Sequence, residues 1–93
     1  MIRGFKDRVT EAVFCGASPK GFPPDLVKIA RRKLGYLDAA AELRDLRQPP
    51  GNRLEALKGD RQSQHSIRIN DQFRICFRWN PQGPTDVEVT DSH

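Results

Sequence analysis

Residues 52–79, NRLEALKGDRQSQHSIRINDQFRICFRW, decide the fold. In their second half Ile67, Ile69, Phe73, Ile75, Phe77 and Trp79 fall on one parity, while Arg68, Arg74, Cys76 and Arg78 fall on the other. Period-two alternation of β-branched and aromatic residues specifies strands with one apolar face. The opposite face carries arginines. A two-residue loop at Asn70-Asp71 would set Ile67 against Arg74 and mix the two faces. A three-residue loop, Asn70-Asp71-Gln72, sets Ile69 against Phe73, Ile67 against Ile75 and His65 against Phe77, which keeps apolar residues together. The second register is expected. Upstream, Arg53 to Leu57 reads as a strand whose alternation fails at Ala56-Leu57, the sign of a bulge or an early end. Lys58-Gly59-Asp60 turns the chain. Downstream, residues 80–84 (NPQGP) form the next turn, and Val87 and Val89 alternate with Asp86, Glu88 and Thr90 in a final strand.

Working outward to the N-terminus, Met1 to Phe5 reads as a marginal edge strand. Lys6 to Phe14 has Val9, Ala12 and Val13 at helical spacing, closed by Cys15-Gly16 and Ser18-Pro19. Pro23-Pro24 can open a second helix, because the first N–H groups of a helix need no intrahelical partner. From Asp25, whose charge suits a helix N-terminus, Leu26, Ile29, Ala30, Leu34, Leu37, Ala40 and Ala41 recur at three and four residues. Lys28, Arg31, Arg32 and Lys33 are assigned to its outer face, as solvated charge first and as a nucleic-acid contact second. Glu42 to Leu46 continues the helix or forms a separate turn, and Gln48-Pro49-Pro50-Gly51 ends it. The expected fold is α+β: two N-terminal helices packed on an antiparallel sheet of about four strands, with residues 1–93 as a single domain.

An apolar fraction of 37% and a charged fraction of 30% fit a globular chain, with no run long enough to cross a bilayer and no secretory signal pattern. A cytoplasmic location is expected. Cys15 and Cys76 lie too far apart for a redox or zinc motif, and both are expected to be reduced. Residues 52–79 hold six basic side chains (Arg53, Lys58, Arg61, Arg68, Arg74, Arg78) and three acidic ones (Glu55, Asp60, Asp71), which puts +3 of the net +4 there. Such a field favours an acidic or polyanionic partner.

Four groups carry candidate chemistry. Arg68, Arg74 and Arg78 share a strand face and form either an anion-binding strip, since guanidinium groups grip phosphate bidentately, or ion pairs with Asp86 and Glu88. Glu55 near Lys58 can serve as a base beside a cation, or be ordinary surface. His65 shares a face with Ile67 and Phe77 and is read as packed. His93 can titrate near neutrality, at a chain end that commonly frays. No metal site is expected, and no phosphate-cradling glycine loop, zinc-protease helix or nucleophile elbow is present.

The segments NRLEALKGDR, QHSIRIND and FRICFRW, followed by a terminal acid-x-His, resemble in order the HigB toxins of the RelE/ParE toxin-antitoxin superfamily, and DAAAELRDLR before PPG extends the likeness over the whole chain. The resemblance implies a RelE-like fold and a ribosome-dependent, cofactor-free mRNA endonuclease that cleaves by 2′-OH attack on the adjacent phosphate. It implies three catalytic residues: Glu55 as base, Arg74 at the phosphate and His93 as general acid. Lys58, Arg61, Arg68 and Asp91 are implied as the RNA- and phosphate-binding surround. The implied partners are a cognate helix-turn-helix antitoxin (HigA-like), the ribosome and mRNA, with no membrane. One departure is Ser92, where the family commonly has tyrosine; loss of a stacking ring implies attenuated activity. Two other functions stay open: a non-nuclease superfamily member, gyrase-directed or retaining only antitoxin binding, and an RNA- or ribosome-binding module without catalysis.

Overall fold

The computed structural model describes residues 1–91. Four antiparallel strands lie in the order β1 (Glu55–Ala56), β2 (Gln64–Arg68), β3 (Phe73–Asn80) and β4 (Gly83–Asp91), preceded by helices α1 (Arg8–Phe14) and α2 (Pro24–Ala39). The β2–β3 register is the expected one, with His65 opposite Phe77 and Ile67 opposite Ile75. Asn70 fastens the three-residue turn by accepting at its side-chain oxygen from the Gln72 and Phe73 N–H groups.

Alternation then sorts the two faces. Ile67, Ile75, Phe77 and Val87 meet Leu26, Ala30, Leu34, Leu37 and Val13 in one buried cluster, so both helices cover the apolar face. Asp7 caps α1 by accepting from the Thr10 N–H at 2.7 Å. Thr10 is itself buried, and its hydroxyl accepts from the Val89 N–H at 3.0 Å, which pins α1 to β4.

The structure corrects three local expectations. Residues 1–5 form no strand but a single parallel bridge, Phe5 to Val87, and they line the β4 edge through the Arg3 N–H to the Pro84 carbonyl at 2.7 Å and the Val87 N–H to the Gly4 carbonyl at 3.2 Å. At the edge, Gly83 has a φ of 132°, and a Cβ there would fall 2.1 Å from the Met1 carbonyl oxygen. The strand expected over Arg53 to Leu57 shrinks to two residues, because Arg53 takes a left-handed φ of 45° before it and a 3-10 turn at Gly59–Arg61 follows it. Finally, the α2 cations do not all face solvent. Arg31 bends back to donate to the Val13 and Ala17 carbonyls at the C-terminal end of α1, and Lys33 is only 6% exposed.

Glu42 to Leu46 resolves into a separate 3-10 turn, Leu43–Arg47, closed by a reciprocal capping box between Glu42 and Asp45. Its buried Leu46 joins the core cluster. A second short turn, Pro50–Asn52, delivers the chain to β1.

Candidate functional site

Glu55 pairs with Ser66, Ser66 with Cys76, and Cys76 with Glu88, so these four residues share the sheet face away from the helices. Ser66 and Cys76 are nevertheless buried. The Arg74 side chain reaches over Ser66, to whose hydroxyl its Nε donates. Burial pushes the Cys76 thiol up from its ordinary pKa, so it stays an uncharged spacer on this face.

Arg74 sits at the middle of this face. Its Nε donates to the Ser66 hydroxyl at 2.8 Å, its Nη2 donates to the Arg53 carbonyl at 2.9 Å, and the same Nη2 lies 3.5 Å from the Glu55 carboxylate. Two anchors of different origin therefore hold the guanidinium plane, and Nη1 has no hydrogen-bond partner among the described residues. The Arg74 side chain is 17% exposed and that of Glu55 57%, so the cation is embedded and the carboxylate faces water.

Arg68 is directly opposite Arg74 in the ladder, an arrangement of like charge that destabilises unless the side chains part. They do part. Arg68 turns toward the hairpin, donating to the Asn70 carbonyl and pairing with Asp71. Arg78 pairs with Asp86, which occupies the register shift of β4 with a left-handed φ of 52°. Glu88 goes elsewhere, to Arg61 at 2.8 Å and Lys6 at 3.5 Å. That hydrogen bond from Arg61 to Glu88 raises the guanidinium's proton affinity. Of the expected pairs with the acids of the last strand only Arg78–Asp86 forms; the acid paired with Arg68 comes from the turn, that paired with Arg74 from β1, and Glu88 pairs with none of the three.

The remaining sequence candidates are scattered. Lys58 is exposed at the start of the 3-10 turn after β1 and makes no ion pair among the described residues; Glu55 pairs with Arg74 instead. Asp91 closes β4 opposite Phe73 and accepts from the Gln72 amide at 3.1 Å. His65 lies against Phe77 with ring centroids 6.2 Å apart, as the register implied, and its Nδ1 is buried without a hydrogen-bond partner among the described residues. His93 and Ser92 lie outside the described residues. No three His, Cys, Asp or Glu side chains cluster as a metal site would require among the described residues. No helix among them is long and apolar enough to cross a membrane.

Sequence reasoning missed the groups behind this face. Asn52 is fully buried, and its side-chain oxygen lies 2.5 Å from Lys33 Nζ while its amide donates to the Leu46 and Gln48 carbonyls. A signal for Lys33 was present: positions 26, 30, 33 and 37 form one helical stripe, and lysine interrupts it. Nothing in the pattern around Asn52 marks it as buried.

A four-stranded antiparallel sheet covered by two helices on one side, with an embedded arginine beside a carboxylate on the other, defines an α+β protein with an arginine-bearing open sheet face. The sequence model for the "RelE-like toxin of type II toxin-antitoxin system HigB" matches residues 3–93. The chain is 42% identical over 80 residues to Toxin HigB-1 of Vibrio cholerae serotype O1, covering 85% of this chain and 84% of that one. It is 36% identical over 64 residues to an uncharacterized protein of Haemophilus influenzae, covering 69% of this chain and 63% of that one. The chain belongs to the HigB-like toxins, the RelE-like toxins of type II toxin-antitoxin systems. Membership implies a cognate antitoxin as its protein partner.

Proposed function

We propose that this toxin is a metal-independent, ribosome-dependent mRNA endonuclease in the cytoplasm, with residues 1–93 acting as a single domain. The observation that carries this reading is the pairing of the exposed Glu55 carboxylate with the doubly anchored Arg74 guanidinium, 3.5 Å apart on one sheet face. In-line cleavage of RNA needs a base for the 2′-hydroxyl, positive charge on the crowded phosphate and an acid for the departing 5′-oxygen. Glu55 takes the 2′-proton, and the 2′-oxygen attacks phosphorus. Arg74 holds the non-bridging oxygens with its Nη1 and Nη2 hydrogens, gathering the charge that develops there. His93 protonates the 5′-oxygen as the P–O bond breaks, leaving a 2′,3′-cyclic phosphate and a 5′-hydroxyl. Lys58, Arg61 and Arg68 supply the positive field along the strand of message, and Asp91 borders it at the end of β4.

Glu55 and Arg74 cannot serve the reaction while paired to each other. An entering phosphate competes for Arg74 Nη2 and frees the carboxylate, so the ion pair is a resting state that the substrate opens. Its openness fits this role, because the Glu55 carboxylate is 57% exposed and water can solvate it as the pair parts. Ribosome and message would supply the remaining order, and the antitoxin, a helix-turn-helix protein in this reading, would silence the toxin.

The test is cleavage of a defined message by purified protein with and without ribosomes, mapped by primer extension. Cuts that require ribosomes and vanish in Arg74→Ala and His93→Ala are expected. Absence of any such cleavage by the folded wild-type protein would remove the proposal.

A further inference from the structure

We propose that Lys33 is a positioning residue for Arg74, acting through Asn52 and the carbonyl of Arg53; this rests on the nuclease reading above for its consequence in catalysis. Lys33 occupies a stripe position of α2 where an aliphatic side chain would bury more cheaply. It is 6% exposed, and burial, with the nearby charges of Arg32 and Arg68 adding to the effect, lowers its proton affinity. A cation placed there against those costs needs a reason.

The geometry supplies one. Lys33 Nζ donates to Asn52 Oδ1 at 2.5 Å, and the Asn52 amide donates to the Leu46 and Gln48 carbonyls at 3.1 and 3.3 Å. Both ends of a fully buried side chain are thereby fixed. The next residue, Arg53, is held at φ 45° and ψ 60°, a left-handed conformation that residues with side chains avoid unless their surroundings impose it. In that conformation the Arg53 carbonyl accepts from Arg74 Nη2 at 2.9 Å. Were Arg53 to relax to an extended conformation, this carbonyl would rotate away and Arg74 would keep only Ser66 as an anchor. The path runs from α2, through a buried amide, to one strained peptide, and it ends on the guanidinium. Small displacements of such a group are costly, since misplacement by about 1 Å can lower a rate about a hundredfold.

Two readouts test this. In single-turnover cleavage of message on ribosomes, Lys33→Met should lower kcat about tenfold or more while KM moves less than about twofold, the split expected when geometry rather than binding is lost. In an Arg74→Lys background, which keeps a measurable residual rate, the same substitution should change kcat by less than about twofold, because the guanidinium it positions is gone. Equal losses in both backgrounds would mean a general structural role and would overturn the proposal. Independently of cleavage, solvent exchange of the Arg74 Nε–H in ¹⁵N-labelled free toxin should quicken about tenfold or more in Lys33→Met. Asn52→Asp, which keeps a partner for Lys33 but cannot donate to the two carbonyls, should loosen it likewise if Lys33→Met does not fold. Unchanged exchange in the folded variants would overturn the positioning. A wild-type protein that cuts no message would remove the nuclease reading alone, leaving the exchange measurement to decide.

Discussion

At the scale of single residues, Arg74 is defined by directions rather than by charge. Its Nε and Nη2 each have a fixed acceptor, Ser66 Oγ and the Arg53 carbonyl, so the guanidinium plane is set before any phosphate arrives. Lysine cannot reproduce two diverging donors. Arg74→Lys should therefore keep the fold and lose about a hundredfold in message cleavage, measured by single-turnover kinetics beside circular dichroism. Ser92→Tyr should act in the opposite sense. A restored ring stacking on a base contributes about 1–3 kcal/mol, so cleavage should rise about fivefold or more if Ser92 attenuates the toxin. Lys33 gives a third expectation, with its sign set by linkage. Its proton affinity is lowered in the folded state, so between that lowered pKa and the unfolded value of 10.5 the unfolded chain holds more protons. The stabilising increment is complete above the unfolded value and is lost as pH falls through the folded one. Stability of the wild type minus that of Lys33→Met should climb as pH is raised toward 10.5, read from urea midpoints of both proteins in the same buffers.

At the scale of elements, legibility followed the strength of local pattern. The β2–β3 hairpin was readable to the residue because slipping its register by one would have turned Ile67 and Ile75 toward the arginine face. The first strand was not, because its length is set by a left-handed Arg53 and a 3-10 turn, and neither conformation leaves a periodic trace. The α2 cations show the same divide. Helical spacing fixed the stripe, but charge was allowed to override position at Lys33, whose partner Asn52 is 19 residues away and arrives only through tertiary folding. For the site, Arg74 and Glu55 could be named from resemblance, yet their pairing across β1 and β3, and the anchoring by Ser66 and Arg53, required the folded sheet. The hairpin also bears the core. Phe77 is fully buried on β3, where it packs under the helices, so Phe77→Ala should cost about 3–5 kcal/mol. A domain with about 5–15 kcal/mol in total would then be near unfolding, visible as a large fall in the urea midpoint.

At the scale of the whole molecule, the sheet divides the charge. Helices and core occupy one side, and the other carries Arg61, Arg68, Arg74 and Arg78, each paired with an acid: Glu88, Asp71, Glu55 and Asp86 in turn. Net charge alone would attract message to any basic patch, including the exposed Lys28 on α2, so the question is which cations meet phosphates. Salt dependence answers it. Each phosphate contact on a single strand contributes about −0.7 to the slope of log K against log salt, through counterion release. A paired arginine that must first give up its carboxylate contributes less to affinity than a free lysine, but the counterion it displaces from RNA is the same. Arg68→Ala and Lys58→Ala should each flatten the slope by about 0.7, measured by fluorescence anisotropy of a labelled single-stranded RNA over a range of potassium chloride. Lys28→Ala should leave it unchanged, because α2 lies behind the sheet. Slopes that fall equally for Lys28 and Arg68 would mean that RNA gathers in the general field of the protein and that the arginine face is not its track.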